Sequence, residues 1–264
     1  MTAIALTIAG SDSSGGAGIE ADLKTFAALG VYGAAAITAL TAQNTKGVFG
    51  IHVVPADFIA AQIDAVLADL RVDAVKIGML PDAAAIAAVA AALERHRPRN
   101  VVLDPVMVAS AGQRLLRDDA LGALRDLIKR VDVVTPNLPE AATLLDLPPA
   151  RDEADMRAQG EKLLALGAGA VLIKGGHGSG PDSVDLLIDA DGTTRLAAPR
   201  LPTRNTHGTG CTLASALAAG LAKGLPLVEA AREAKAYVTA AIAAADRLEV
   251  GAGRGPLHHF HAWW

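Results

Sequence analysis

Apolar positions along this chain follow two periods that take turns from one end to the other. Short runs rich in β-branched residues, "AIALTIAG" (3–10) and "DAVKIG" (73–78) among them, read as strands. Longer Ala-rich stretches read as helices, beginning with "AGIEADLKTFAALG" (17–30), which Gly30 closes. "YGAAAITAL" (32–40) and "GVFGIHVV" (47–54) predict two further strands, and Pro55 opens a helix running to about Leu70. A helix over Pro81–Arg95 leads to strands at "NVVLDPV" (100–106) and "VDVVTP" (131–136), with a helix near 118–129 between them. "LPEAATLL" and Glu153–Leu166 are helices, and "GAVLIKGG" (169–176) is a buried strand. The rhythm then changes. "SVDLLIDADGTTRLAAPR" (183–200) has the pattern of a hairpin turning at Asp191-Gly192, and two helices near 211–223 and 227–246 complete the body.

Alternating strand and helix predicts an α/β fold: a mostly parallel sheet with helices on both faces and one antiparallel excursion late in the chain. Repeats, low-complexity tracts and linkers are absent from the sequence, so a single domain over 1–264 is expected. Ligands of such folds bind at the carboxyl ends of strands, which directs attention to the strand-exit loops.

Composition narrows the field. With 52% apolar and 20% charged residues, the 264-residue chain can bury a sizeable core. A formal net charge of −4 gives no electrostatic footprint for nucleic acid or anionic membrane, so a small-molecule partner is expected. Cys211 is the only cysteine, which fits a reducing compartment. The start, "MTAIALTIAG", lacks a positive n-region, and the longest apolar run, "AAAIAAVAAAL" (83–93), is too short for a membrane span. A soluble cytoplasmic protein is the expectation.

The loops supply the candidate chemistry. "GSDSSGGAGIEADLKTF" (10–26) follows the first strand, with Asp22 a turn inside the next helix. It does not fit G-x-G-x-x-G, and nothing in the chain fits G-x-x-x-x-G-K-[ST]. Its glycines either let backbone approach a ligand or simply make a turn. "ALTAQNTKG" (39–47) carries Gln43 and Asn44, whose amides can read the edge of a heterocycle, although polar loop residues need no such reason. "KIGML" (76–80) and "LDPVM" (103–107) each put a charge and a methionine at a strand exit; the methionines can line a flat ligand or merely pack. "TPNLPEA" (135–141) sets Asn137 and Glu140 three apart at a strand-to-helix handover, where a carboxylate can hold Mg²⁺ or suit the helix dipole. "IKGGHG" (173–178) ends a strand on Lys174, a point charge for phosphate or an ordinary surface lysine.

The strongest single feature is "NTHGTGC" (205–211). Gly208, Thr209, Gly210 and Cys211 run into a helix N-terminus, where unpaired N–H groups and the dipole favour an anion. The same dipole lowers a thiol's pKa, so Cys211 reads either as a thiolate base or as a structural member of the turn. Together these loops outline a phosphoryl-transfer site without a P-loop.

These segments, with "ITALTAQNTKGV", "VLIKGGH" and the closing "GPLHHFHAWW", are similar in kind and order to the hydroxymethylpyrimidine/phosphomethylpyrimidine kinases of thiamine biosynthesis, within the ribokinase-like superfamily. The resemblance spans essentially the whole chain. It implies a ribokinase-like three-layer α/β/α fold and two successive ATP- and Mg²⁺-dependent phosphorylations, of 4-amino-5-hydroxymethyl-2-methylpyrimidine and then of its monophosphate. By position, Gln43 would bind the aminopyrimidine edge, with Gly10, Asp22, Met79 and Val106 around the ring. Asp104 and Glu140 would lie near Mg²⁺, with Lys174, Thr209 and Asn137 on ATP and the 208–211 amides on the transferring group. Cys211 takes the place of an aspartate base in related sugar kinases. A homodimer is implied as well. Two departures from the family, "SDSS" (11–14) where many members have a proline and the variable 178–200 hairpin, are expected to stay clear of the chemistry. A pyridoxal kinase shares the fold but usually ends the glycine motif in Asp, which "GTGC" does not. A pyrimidine-binding sensor would be expected to lack part of Lys174, Glu140 or the GTG turn.

Overall fold

The computed structural model describes residues 1–108, 112–113, 115–178 and 180–264. Its centre is an eight-stranded sheet. The parallel strands are β1 (Ile4–Ala9), β2 (Tyr32–Ile37), β5 (Ala74–Ile77), β6 (Val101–Leu103), β7 (Val133–Val134) and β8 (Ala170–Lys174), and an antiparallel hairpin, β9 (Asp182–Asp189) and β10 (Gly192–Pro199), extends one edge. The order is β10-β9-β8-β7-β6-β5-β1-β2. A second, two-stranded sheet pairs β3 (Ala39–Asn44) with β4 (Gly47–Val53).

That small sheet corrects two expectations. The run 32–40 is not one strand but parts at Thr38, whose hydroxyl donates to the Met79 carbonyl at 2.7 Å. "ALTAQN", expected as a loop, is itself a strand, so the chain makes two antiparallel excursions. Burial alternates along it, Ala39, Thr41 and Gln43 being more covered than Leu40, Ala42 and Asn44, but polarity does not follow that alternation, so the sequence carried no period-two signal for this strand.

The helices are α1 (Gly18–Ala28), α2 (Ala56–Asp69), α3 (Ala83–His96), α4 (Leu121–Ile128), α5 (Leu138–Leu145), α6 (Glu153–Ala165), α7 (Thr209–Ala222) and α8 (Leu227–Ala243). Local chemistry sets their ends. Asp82 and Asp152 accept from the backbone N–H groups of Ala85 and Asp155, and Pro55 and Pro226 stand at the caps of α2 and α8. No helix of the described residues is long and apolar enough to cross a membrane.

Strand periodicity of two sends alternate side chains to opposite faces. Leu6, Ile8, Val75, Ile77, Leu103, Val171 and Ile173 join one core with α2–α6. Ala5, Ala74, Val102, Val133 and Leu172 join another with α1, α7 and α8. The small residues on this second face let α7 lie close: ten of its residues from Thr212 to Leu221 and also Ala222 are buried. The three-layer α/β/α arrangement is as expected.

Candidate active site

The strand order reverses at β1. Its neighbours β2 and β5 are reached by crossovers running opposite ways, and such a switch point opens a crevice at the carboxyl ends. A cavity of about 680 Å³ lies there. It is lined by Gly10 and Asp12 after β1, Met79 after β5, Asp104 and Val106 after β6, Asn137 and Glu140 after β7, and Lys174 at the end of β8. The 206–211 loop and the head of α7 line it as well, and Gln43 of β3 lines it from the small sheet.

Two glycine loops meet because neither carries a side chain at the contact. Gly208 has φ 82, and a Cβ there would collide with the Gly16 carbonyl. Gly210 is different: a Cβ would stand 3.2 Å from Lys174 Nζ and 3.6 Å from Asp104 Oδ2, in the space where charges gather. Thr209 N–H and Oγ1 both donate to the Thr206 carbonyl, at 3.3 and 2.7 Å. Of the turn's amides, only that of Thr209 is taken up in this way; those of Gly208, Gly210 and Cys211 have no backbone partner among the described residues. The anion site is narrower than the sequence suggested.

Lys174 is the charged centre. Its ammonium lies 2.6 Å from Asp104 Oδ1 and 3.9 Å from Glu140 Oε2. Burial disfavours the ammonium, but the two carboxylates outweigh it and hold Lys174 above its usual range. Glu140 is pushed up to about 7 by burial, with Asp104 adding to the effect and Lys174 opposing it. The Asn137–Glu140 pair forms a capping box, with N–H···O distances of 2.8 and 2.9 Å. Asn137 thus spends its side-chain oxygen on α5, which limits it as the ATP ligand expected from sequence.

Cys211 departs from expectation. Burial pushes its thiol up to about 11; Lys76 opposes this, while Asp22 and Asp104 reinforce it. The helix dipole, expected to lower it, acts on a part-buried group at the cavity wall that stands near two carboxylates. The free protein holds a neutral thiol.

Asp22 also needs correction. It does not line the cavity but is fully buried beneath it, accepting from Thr7 Oγ1 (2.6 Å), Ser215 Oγ (2.7 Å) and both ways from Lys76 Nζ (2.9 and 2.8 Å). The lysine reaches the cavity wall instead. Lys76, noted only as a charge at a strand exit, takes the position expected of Asp22.

At the ring end, Gly10 and Met79 are in contact, a Cβ on Gly10 lying 2.9 Å from the Met79 sulfur. The Gln43 amide lies between Thr41 Oγ1 at 3.2 Å and His207 Nε2 at 3.3 Å, and that imidazole nitrogen is 2.7 Å from Asp12 Oδ2. His207 was not singled out, and Asp12 belongs to the SDSS stretch expected to stay clear of the chemistry; both line the cavity instead. Neither type is diagnostic until the loops are seen to touch. At the far end, Asp185 and Lys235 pair at 2.8 Å beside Ser183 and line the cavity with Ala198 to Leu201. The 178–200 hairpin therefore does reach the site, contrary to expectation.

Asp12 accepts from Ser14 N–H (2.9 Å), Ser14 Oγ (2.7 Å), Gly16 N–H (3.2 Å) and Ala17 N–H (2.9 Å) besides His207. Burial raises its pKa, but these hydrogen bonds prevail and lower it from 3.8 to about 2. A depressed carboxylate adds stability above its unfolded value and loses it as pH falls through the folded one. We expect Asp12→Asn to flatten the fall in Tm between about pH 4 and 2. An acid limb as steep as that of the parent protein would refute the assignment.

The Phosphomethylpyrimidine kinase family model matches residues 12–258. A hydroxymethylpyrimidine/phosphomethylpyrimidine kinase of Rhizobium meliloti is 60% identical over 265 residues, covering 100% of this chain and 99% of that protein. Among solved structures, an ADP complex of Bacillus subtilis pyridoxal kinase superposes with TM-score 0.92 at 38% identity, covering 99% of each chain. The phosphomethylpyrimidine kinase of Clostridium difficile gives TM-score 0.81 at 42% identity, covering 90% of this chain and 99% of that one. Both neighbours share the ribokinase-like layering, and the family match runs from the Asp12 loop through the anion turn to His258, so the chain belongs to the phosphomethylpyrimidine kinase family.

Proposed function

We propose that this chain, acting as one kinase domain in the cytoplasm, transfers the γ-phosphoryl group of ATP to the hydroxyl of 4-amino-5-hydroxymethyl-2-methylpyrimidine, and in a second turnover to the monophosphate. The observation that carries this is the buried Lys174–Asp104 pair, 2.6 Å apart, beside the open face of Gly210 at the head of α7. Phosphoryl transfer asks mainly for positioning and for charge aimed at the moving oxygens. Lys174 and the Gly210 and Cys211 amides supply the charge. Gln43 reads the ring edge, with Gly10, Met79 and Val106 flanking it, and Thr209 borders the phosphates. The apolar stretch Leu213, Val238 and Ile242 suits a purine at the far end.

The donor set also suits magnesium. Asp104 and Glu140 are buried carboxylates on one ammonium, and among the described residues no three His, Cys, Asp or Glu side chains are placed to hold a metal ion by themselves. One or two carboxylates completed by substrate phosphates are the usual Mg²⁺ arrangement. The ion would neutralise charge on those phosphates.

Likeness to a pyridoxal kinase favours a second reading of the acceptor. Offering ATP–Mg²⁺ with the pyrimidine alcohol, its monophosphate and pyridoxal in parallel separates the two. Turnover of both pyrimidines is expected; turnover of pyridoxal alone would reverse the assignment.

The neutral thiol changes the role of Cys211. A general base lost from the alcohol step typically costs about 10²–10⁴-fold, and the monophosphate, already anionic at neutral pH, needs none. Because burial keeps the thiol protonated, Cys211→Ala should lower kcat/KM for both acceptors by the same factor. A loss confined to the alcohol would restore the thiolate base.

A homodimer through the small sheet completes the reading. Leu40, Phe49 and Ile51 of the small sheet are exposed and Phe58 of α2 is 61% exposed, apolar surface that an isolated chain leaves in water. Phe49→Asp should convert a dimer to a monomer in sedimentation; an unchanged mass would move the interface elsewhere.

A further inference from the structure

Donor counting around Gln43 settles which way round its amide sits. Thr41 has one hydroxyl proton, and its oxygen lies 2.9 Å from the Ser11 carbonyl, which can only accept. That proton goes to Ser11, leaving Thr41 Oγ1 to accept from Gln43. His207 Nε2 lies 2.7 Å from an ionised Asp12 oxygen and so carries a proton. That single proton points at Asp12, so Gln43, 3.3 Å away, meets a protonated nitrogen with no lone pair to offer; an amide nitrogen there would set donor against donor, whereas the amide oxygen takes the outer share of a three-centre contact. The consistent arrangement puts the Gln43 nitrogen toward Thr41 and its oxygen toward His207. One N–H and one oxygen lone pair are left over for the cavity.

We infer that Asp12 and His207 are a positioning pair that fixes the orientation of the Gln43 amide and thereby selects the acceptor ring. The pair is built for it. Asp12 is 2% and His207 6% exposed, and Asp12 is held by five donors from three residues of its own loop and from His207. A Cβ on Gly16 would lie 2.6 Å from His207 Cδ2, so the ring is also pinned by backbone. The bound ring cannot turn over to suit the amide, because its hydroxymethyl group must face the phosphoryl donor. A 4-aminopyrimidine edge offers an amine donor beside a ring-nitrogen acceptor. A 4-oxopyrimidine offers the reverse, a carbonyl beside a ring N–H, and would need the amide turned the other way. The pair therefore acts as a filter for the amino ring against the oxo ring of the same shape.

The inference rests on the reading that Gln43 meets the pyrimidine. Its test is the ratio of kcat/KM for the 4-amino alcohol to that for its 4-oxo counterpart. His207→Leu deletes the donor and should lower this ratio at least about tenfold, since each unmatched polar contact typically costs about 1–3 kcal/mol. His207→Gln, long enough to return an N–H toward Asp12, should keep most of the selectivity. A merely structural histidine would depress both substrates together and leave the ratio alone, in either variant. Should His207→Leu fail to fold, Thr41→Val removes the acceptor on the other side of the amide and is expected to lower the ratio as well. An unmoved ratio in the folded variants, or an equal fall for Leu and Gln, overturns the inference. Parent protein that phosphorylates neither ring would instead overturn the pyrimidine reading itself.

Discussion

Burying two lysines constrains everything around the site. A charge taken out of water must find a partner or lose its charge, and breaking a buried pair typically costs about 3–5 kcal/mol. Lys76 and Asp22 are both fully buried, and the carboxylate collects Thr7 of β1, Ser215 of α7 and Lys76 of β5 onto α1. One ion pair thus ties two central strands to the two helices whose N-termini carry the glycine loops. Burial alone would strip the proton from Lys76, yet the Asp22 carboxylate, with Asp104 beyond it, holds the ammonium above its ordinary range. The positive end of the pair is the one that reaches the cavity wall. Anion affinity here is built into the core rather than hung on the surface.

The second pair, Lys174–Asp104, sits one layer nearer the reacting groups and is less closed, at 11% and 1% side-chain exposure. Glu140 shares that ammonium, and its upward shift records first its loss of hydration and then the neighbouring Asp104 charge, against the pull of Lys174. An arriving cation would relieve the carboxylates, while arriving phosphates would take over the ammonium. A site poised this way lets charge move among partners already in place, with little solvent to reorganise. Cys211 lies between the two pairs. Its thiol feels the Lys76 ammonium and the opposing charges of Asp22 and Asp104, and the loss of hydration decides the outcome.

Much of this was legible in the sequence, because strand-exit position is a property of local pattern. The strands ending near Ala9, Ile77, Leu103 and Lys174 were visible from β-branched runs, and once the sheet is parallel their exits must converge. What escaped depends on contacts between distant segments. Asp22 looked like a ligand-facing carboxylate one turn inside the helix after a glycine cluster; only its 54-residue reach to Lys76 shows it to be core. His207 finds Asp12 across 195 residues, and Lys235 finds Asp185 across 50. No period or motif encodes such a meeting. Environment escaped too: the sequence shows Cys211 at a helix N-terminus, where a low pKa is the rule, and not the burial that reverses it.

The small β3–β4 sheet is where local pattern and global fold part company. A parallel sheet delivers side chains at its carboxyl edge but cannot cover the crevice there, since every strand runs out at the same level. The insertion between β2 and α2 supplies a wall from outside the sheet. Its ladder slips between Ala42 and Gln43, where Gly50 and then Val48 are the partners and Phe49 is passed over. Such a bulge twists the ribbon and changes where the following side chains point. Here the residue beyond the slip is Gln43, and the residue passed over is Phe49, 72% exposed. One irregularity separates an amide turned to the cavity from an aromatic ring turned to solvent. Regular alternation would have kept both strands in step, so the break in pattern is what gives the hairpin an inner and an outer task at the same point along the chain.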